Sequence, residues 1–285
     1  MERKAPPTAQ TIRWAPRIFG EHGVPLDDPT EAFHEETKIY PSTIGRQLVG
    51  GGRLAADEHL QLSSLRSVLR RPQLPVVELP EPEIPQSPIA HAILARRSTR
   101  SFGPGSLKLG QVATLLHAAY GVTHTLDRPD GTPAAPLRAV PSGGALYPLE
   151  LYVLAARVDG LEPGLYHFDP LRRVLEVLRV EDPMPKLIEI STYPEIVGES
   201  AVTWFVTLVV WRTRFKYGPR GYRFALLEAG HLAQNLVLTA TALGLAAVPL
   251  GGFYDGRADE YLGIDGVHES TIYTLSAGTL PSETT

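Results

Sequence analysis

Residues 149–178, LELYVLAARVDGLEPGLYHFDPLRRVLEVL, decide the fold. Three apolar runs, at 149–156, 164–168 and 173–178, are separated by Asp-Gly and Asp-Pro, which are turn chemistry. They predict three strands joined as an antiparallel meander. Further on, residues 201–211 contain VTWFVTLVVW, apolar at nearly every position, which predicts a strand at the centre of a sheet. The longest helical pattern covers 222–243, where Leu226, Leu227, Gly230, Ala233, Leu236, Val237 and Ala240 recur three or four apart before Gly244. A strand at 246–250, a short helix near 257–262 and a closing strand at 271–276 complete this half.

Working back from the meander, 109–120 predicts a helix with Val112, Leu115, Leu116 and Ala119 on one face, stopping at Gly121. Ser87 is placed to cap, and Pro88 to open, another helix with Ile89, Ala90, Ile93 and Leu94 on its apolar face. Hairpins mixed with helices give an α+β class with a largely antiparallel central sheet flanked by helices, rather than a doubly wound fold. Residues 1–86 read as an N-terminal extension, rich in Pro, Gly and charge, with a short helix in 55–69 and a proline-punctuated arm at 72–88. Residues 87–285 then form the main domain.

Composition narrows the chemistry. A chain of 285 residues with 43% hydrophobic content can bury a large core, and a net charge of -4 gives no electrostatic reason to bind nucleic acid or an anionic membrane. The absence of cysteine removes disulfides, thiolate nucleophiles, iron-sulfur clusters and cysteine zinc sites together. The start, MERKAPP, has no apolar run and no later segment approaches ~20 continuous apolar residues, so a cytoplasmic location is expected. The histidines lack HExxH spacing, so no metal is assigned; neither GxGxxG nor a Walker A motif is present.

Four stretches carry candidate chemistry. Arg96, Arg97, Ser98 and Arg100 crowd cations and a hydroxyl into one turn's reach, which suits a phosphate, although basic residues at a helix end also simply oppose its dipole. Residues 141–148, PSGGALYP, place Pro141, Ser142, Gly143 and Gly144 where backbone can approach a flat ligand, or where a tight turn enters a strand. Lys216 and Tyr217 follow the buried strand. Near a cofactor such a pair can do proton chemistry, because an ammonium favours the phenolate while desolvation favours the neutral amine; on a surface it is decoration. Residues 248–253, VPLGGF, end a strand at Pro249 and Leu250 in a glycine turn whose bare amides, at Gly251 and Gly252, could face a ring nitrogen.

In this order the motifs ARRSTRSF (95–102), PSGGALYPLELYV (141–153), GLYHFDP (164–170), KYGPRGYRFALLEAGHLAQNL (216–236) and VPLGGF resemble the FMN-dependent nitroreductase-like fold. Within it they resemble the SagB-type dehydrogenases of thiazole/oxazole-modified peptide pathways. The resemblance spans about 88–280, with a looser match at DDPTEAFHEETK (27–38). It implies an FMN enzyme that oxidises azoline rings on a peptide or peptide-like substrate. A homodimer whose flavin sites form at the subunit interface is implied as well, as are further subunits of a peptide-modifying complex. An NAD(P)H-dependent reductase of nitro, quinone or ene substrates and a flavin-binding scaffold without turnover are the alternatives.

By the same resemblance Arg96 and Ser98 hold the FMN phosphate, Arg97 borders the site, and Arg100 lies beside N1 and the C2 carbonyl, where reduction leaves negative charge. Ser142 to Gly144 contact the flavin, Gly251 and Gly252 present N–H groups toward N5, and Lys216 and Tyr217 accept protons from the substrate ring. Two departures stand out. Gly251 occupies the place of an acidic residue common in nitroreductases, and no basic phosphate ligand follows near the C-terminus, which leaves Arg223 as the candidate replacement.

Overall fold

A computed structural model describes residues 29–41, 49–65, 67–126 and 135–281. The chain divides into two compact units, residues 1–44 and 45–285. In the first, helix α1 (Pro29–Glu36) opens on a proline, whose missing N–H the first turn does not need. Beyond its end, the Thr37 hydroxyl donates to the Phe33 carbonyl at 2.5 Å. Residues 27–28 of the N-terminal motif and 282–285 at the far end lie outside the described residues.

The second unit begins with α2 (Val49–Ala56) and α3 (Glu58–Leu65), then β1 (Val76–Glu78), α4 (Ile89–Ala95), β2 (Leu107–Lys108) and α5 (Leu109–Tyr120). A hairpin of β3 (Val122–Leu126) and β4 (Ala135–Arg138) precedes the meander β5 (Leu149–Ala155), β7 (Gly164–Asp169) and β8 (Val174–Val180), with short β6 (Val158–Asp159) between the first two. Then come α6 (Met184–Ile190), α7 (Pro194–Val197), β9 (Val202–Val209), α8 (Trp211–Tyr217), α9 (Arg220–Ala242), β10 (Leu245–Leu250), α10 (Asp255–Leu262) and β11 (Glu269–Thr279).

Among the described residues the main sheet runs β1-β8-β7-β5-β9-β11-β10, and every neighbouring pair is antiparallel. Both faces are covered, which is why β5 and β9 are apolar at nearly every position. Alternate residues serve opposite cores. Leu149, Leu151 and Val153 with Trp204, Val206 and Leu208 pack with the apolar stripes of α5 and α9, while Tyr152, Leu154 and Phe205 pack with residues of α6, α7 and α10.

The α+β class, the meander and the central position of the 201–211 segment hold, as does α5, whose Val112, Leu115, Leu116 and Ala119 are fully buried. Other expectations need correction. The helix expected within 55–69 is two helices broken at Asp57, whose carboxylate accepts the Leu60 N–H at 3.1 Å and so starts the second. Ser87 caps nothing: Pro88 takes the cap position of α4, with no side-chain cap bond. The expected core face of α4 is exposed, with Ile89 at 72% and Leu94 at 75%, and Ala92 is buried instead. On α9 the first half of the expected stripe is also exposed at Leu226 and Leu227; the buried stripe there runs through Ala225, Glu228, Ala229 and Leu232. The strand expected through residue 211 stops at Val209 because Trp211 opens α8.

Candidate active site

Helix α8 ends at Gly218, whose φ of 56° suits only a residue without Cβ, and Pro219 then caps α9. This tight junction folds Tyr217 onto the first turns of α9. Its ring meets Phe224 edge-on, centroids 5.0 Å apart, and Lys216 Nζ lies 5.2 Å from the Tyr217 ring centre. The Ser142–Gly144 turn packs against the same two residues. A Cβ at Gly144 would lie 2.5 Å from Lys216 Nζ and 2.7 Å from Tyr217 Oη, so glycine here permits contact that any side chain would block.

The turn is conformationally unusual. Gly144, Ala145 and Tyr147 all have positive φ, at 66°, 53° and 44°. Such backbone persists for non-glycine residues only when neighbours over-determine it. Here they do: the Tyr147 N–H donates to Ser142 Oγ at 2.9 Å, and its hydroxyl accepts the Arg138 N–H at 2.9 Å. The Arg138 guanidinium lies 4.4 Å from the Tyr120 ring centre and 4.7 Å from that of Tyr147. Pro141, Ser142, Gly143, Tyr217, Phe224 and Glu228 are among the residues lining an open cavity of about 430 Å³.

Buried charge anchors the other end of α8. Arg212 reaches Glu150 at 2.5 Å; Glu150 also meets His167 Nε2 at 2.9 Å, and His167 Nδ1 meets Glu176 at 3.0 Å. The register Tyr152↔His167↔Glu176 sets these groups on adjacent strands of one face. Burial pushes the Glu150 and Glu176 carboxyls up, but His167 and the arginines around them prevail and hold both at about 2. Burial by itself would lower His167; its hydrogen bonds to the two carboxylates raise it instead. The segment 67–71 closes over this face, with Leu69 N–H donating to Glu150 at 2.7 Å, Arg71 N–H to Glu176 at 3.0 Å, and Ser67 C=O accepting Arg138 Nη2 at 2.5 Å.

A second cluster forms along β10. Thr99 N–H donates to the Ala247 carbonyl at 3.1 Å, which aligns the arginine segment with the strand, and buried Phe102 anchors its end beside Gly278. Arg96 Nη1 lies 3.4 Å from Ser98 Oγ, and Arg100 is exposed. Arg97 is differently engaged: its guanidinium donates to the Leu94 and Arg96 carbonyls, both at 2.9 Å. Strand β10 continues through Pro249 and Leu250 to Gly251, where a Cβ would meet nothing within 4 Å, and to Gly252, packed on Thr192 and Tyr193. Arg223 is half-buried on α9 and is not among the residues lining the cavity.

The fold therefore joins Ser142, Gly143 and Gly144 with Lys216 and Tyr217, across some seventy residues of sequence, and sets Arg96, Ser98 and Arg100 beside the strand that leads to Gly251 and Gly252. Cations, a hydroxyl and bare backbone amides suit a phosphate and a flat, hydrogen-bonding ring, and the donor set fits a flavin nucleotide. Glu228, Tyr120, Arg138 and Glu150 were not expected at the site. For Glu228 a signal exists, since it sits on the helical stripe of Ala225 and Leu232, one position from the residues read as the buried face.

The chain belongs to the nitroreductase family, whose profile matches residues 93–279. Proteins of this family are FMN-dependent oxidoreductases, and this chain is an FMN-dependent enzyme of that class. It is 34% identical over 188 residues to the putative nitroreductase MJ1384 of Methanocaldococcus jannaschii, covering 66% of this chain and 90% of that protein. It is 31% identical over 138 residues to the microcin B17-processing protein McbC of Escherichia coli, covering 47% of this chain and 51% of McbC. A chain of the E. coli microcin synthetase McbBCD complex with truncated pro-MccB17 bound superposes with a TM-score of 0.56 at 24% identity, covering 89% of this chain and 92% of that chain. At that identity the likeness is one of fold. No helix among the described residues is long and apolar enough to cross a membrane.

Proposed function

We propose that this enzyme is a SagB-type dehydrogenase that oxidises azoline rings on a peptide or peptide-like substrate to azoles. The observation that carries the reading is the meeting of Gly144 with Lys216 Nζ and Tyr217 Oη, which brings an amine and a phenolic oxygen together beside the cavity that Tyr217 lines. Similarity to McbC, a peptide-processing protein, supports the choice of substrate class.

Aromatising an azoline removes one proton and one hydride. Bound FMN supplies the acceptor for the hydride, with oxygen as the final oxidant. Lys216 and Tyr217 accept the proton. Arg96 and Ser98 hold the flavin phosphate, Arg97 borders it, and Arg223 is the candidate for a further phosphate contact. Arg100 would stabilise the negative charge of the reduced ring, the turn of Pro141, Ser142, Gly143 and Gly144 would pack on it, and the end of β10 at Pro249 and Leu250 would lead to the backbone N–H groups of Gly251 and Gly252. A second copy of the chain covers the exposed apolar residues Ile89, Ile93 and Leu94 of α4 and Leu226 and Leu227 of α9, two helices that touch each other. Further subunits of a peptide-modifying complex would deliver the substrate.

The test is conversion of a thiazoline-containing peptide. Tyr217→Phe should keep its flavin and lose turnover by about a hundredfold or more, the usual weight of a positioned proton acceptor. Unchanged turnover overturns the assignment. The 34% identity to MJ1384 favours a second reading, an NAD(P)H-dependent nitro reductase, identified by steady NADPH oxidation with a nitroaromatic and no azoline conversion.

A further inference from the structure

Glu228 is 2% exposed on a stripe of α9 otherwise made of Ala225, Ala229 and Leu232, yet it helps line the cavity that holds Tyr217 and the Ser142–Gly144 turn. An apolar residue would pack there at far less cost, because an ionised carboxylate loses its hydration on burial. Its partners are hydroxyls. Tyr120 Oη donates to Glu228 Oε1 at 2.6 Å while accepting the Leu149 N–H at 3.3 Å, so its one proton is committed to the carboxylate. Ser142 Oγ accepts the Tyr147 N–H at 2.9 Å, which leaves its own proton to turn toward Glu228 on the wall of the same cavity.

The geometry points to Glu228 as a proton-operated positioning residue for the Ser142–Gly144 turn: as the carboxylate it draws in the hydroxyls of both Ser142 and Tyr120 and seats the turn against Lys216 and Tyr217. The protonated form carries a donor of its own and accepts one hydroxyl fewer, so the seat loosens. The turn is held from its other side, since the Tyr147 N–H donates to Ser142 Oγ and the Tyr147 hydroxyl accepts the Arg138 N–H.

The charged and titratable groups around Glu228 are few. Tyr120 comes from α5, Arg138 from β4 with its guanidinium engaged by two tyrosine rings and the Ser67 carbonyl, Tyr217 from α8, and His231 from the next turn of α9. Burial pushes the Glu228 carboxyl up to about 7, and the hydroxyls of Ser142 and Tyr120 and the charge of Arg138 only partly oppose it. A buried acid in that range changes state under ordinary working conditions. Few carboxyls do.

The inference rests on the reading of Lys216 and Tyr217 as the proton acceptors, and its test separates the two. Infrared difference spectra of the holoenzyme, recorded from well below to well above pH 7, should contain a protonated-carboxyl band that disappears with a midpoint of about 7. Glu228→Gln should lack this band, and Ser142→Ala should raise its midpoint by removing a donor to the carboxylate. In turnover the limb that rises through the same midpoint should vanish in Glu228→Gln. Absence of the band in the wild-type protein, an unmoved midpoint in Ser142→Ala, or an unchanged limb in Glu228→Gln each overturns the proposal. Should Tyr217→Phe retain full turnover, the proton-acceptor reading fails, while the infrared titration and its response to Ser142→Ala still report on Glu228.

Discussion

Arg212 Nη2 lies 2.5 Å from Glu150 Oε1, and this contact ties the first turn of α8 to the middle strand of the sheet. Tyr217, five residues after Arg212, terminates the same short helix. The orientation of the Lys216–Tyr217 pair thus depends on a charge pair at the helix's other end.

Arg212→Ala should destabilise the protein by about 3–5 kcal/mol in urea unfolding, because it leaves a 1%-exposed carboxylate without its arginine. Turnover should fall at least about tenfold, with partial recovery in Arg212→Lys, which restores the charge without the planar fork. Full activity with intact stability in Arg212→Ala would show that α8 needs no anchor there.

The same cluster predicts an acid limit. Glu150 titrates at about 2 in the folded chain against an ordinary 4.5, so its contribution of about 3 kcal/mol is complete above 4.5 and disappears as the pH falls toward 2. His167 has the opposite sign: raised on folding, it stabilises below its ordinary 6.5 and loses that contribution as pH climbs through its folded value. Thermal unfolding followed against pH should show both limbs, and Glu150→Gln should flatten the acid one.

Glu228 should leave its own mark on stability. Its carboxyl is raised from 4.5 to about 7, so the unfolded chain ionises first and the native state weakens by about 3 kcal/mol as pH rises across that interval. Denaturant titrations at the two ends of the interval should differ by about that amount, and Glu228→Gln should remove the difference.

Gly144→Ala tests the closeness of the turn to Lys216 and Tyr217. A methyl group there would stand 2.5 Å from Lys216 Nζ, and a φ of 66° carries a backbone cost of about 1–2 kcal/mol for any other L-residue. Turnover should drop by about tenfold or more while the far-ultraviolet circular dichroism stays unchanged.

The arginine segment yields a contrast between neighbours. Arg96→Ala should weaken FMN binding by about tenfold or more, the worth of a charge-assisted bond to phosphate. Arg97→Ala should change affinity by no more than about twofold, since that guanidinium is engaged with the carbonyls of Leu94 and Arg96. Titration of each apoprotein with FMN, followed by flavin fluorescence, would measure both.

Much of this architecture can be read directly from the residues. The meander is legible because Asp-Gly and Asp-Pro punctuate apolar runs, and α5 because Val112, Leu115, Leu116 and Ala119 keep an unbroken helical period. Helix α8 is hidden: Trp211 continues the apolar run of β9, and seven residues are too few to display a period of 3.6. The faces of α4 and of the first half of α9 mislead for a different reason. Ile89, Leu94 and Leu227 have the spacing of a core stripe but lie exposed on the chain, and apolar spacing by itself does not say which face of a helix is covered. At the candidate site, the motif residues were marked by local sequence. Glu228, Arg138 and Glu150 were not, because their significance arises only when strands and helices remote in sequence converge.

The bonds made by residues 67–71 have a consequence for the architecture of the polypeptide. Leu69 and Arg71 cap two interior carboxylates with main-chain amides, and the Ser67 carbonyl holds the guanidinium that braces Tyr120 and Tyr147. A shortened protein beginning at the proline-rich arm would uncover those ions to solvent and release the brace at one stroke. Trimming to the family core at 93–279 would therefore remove a keystone of the interior that lies upstream of it.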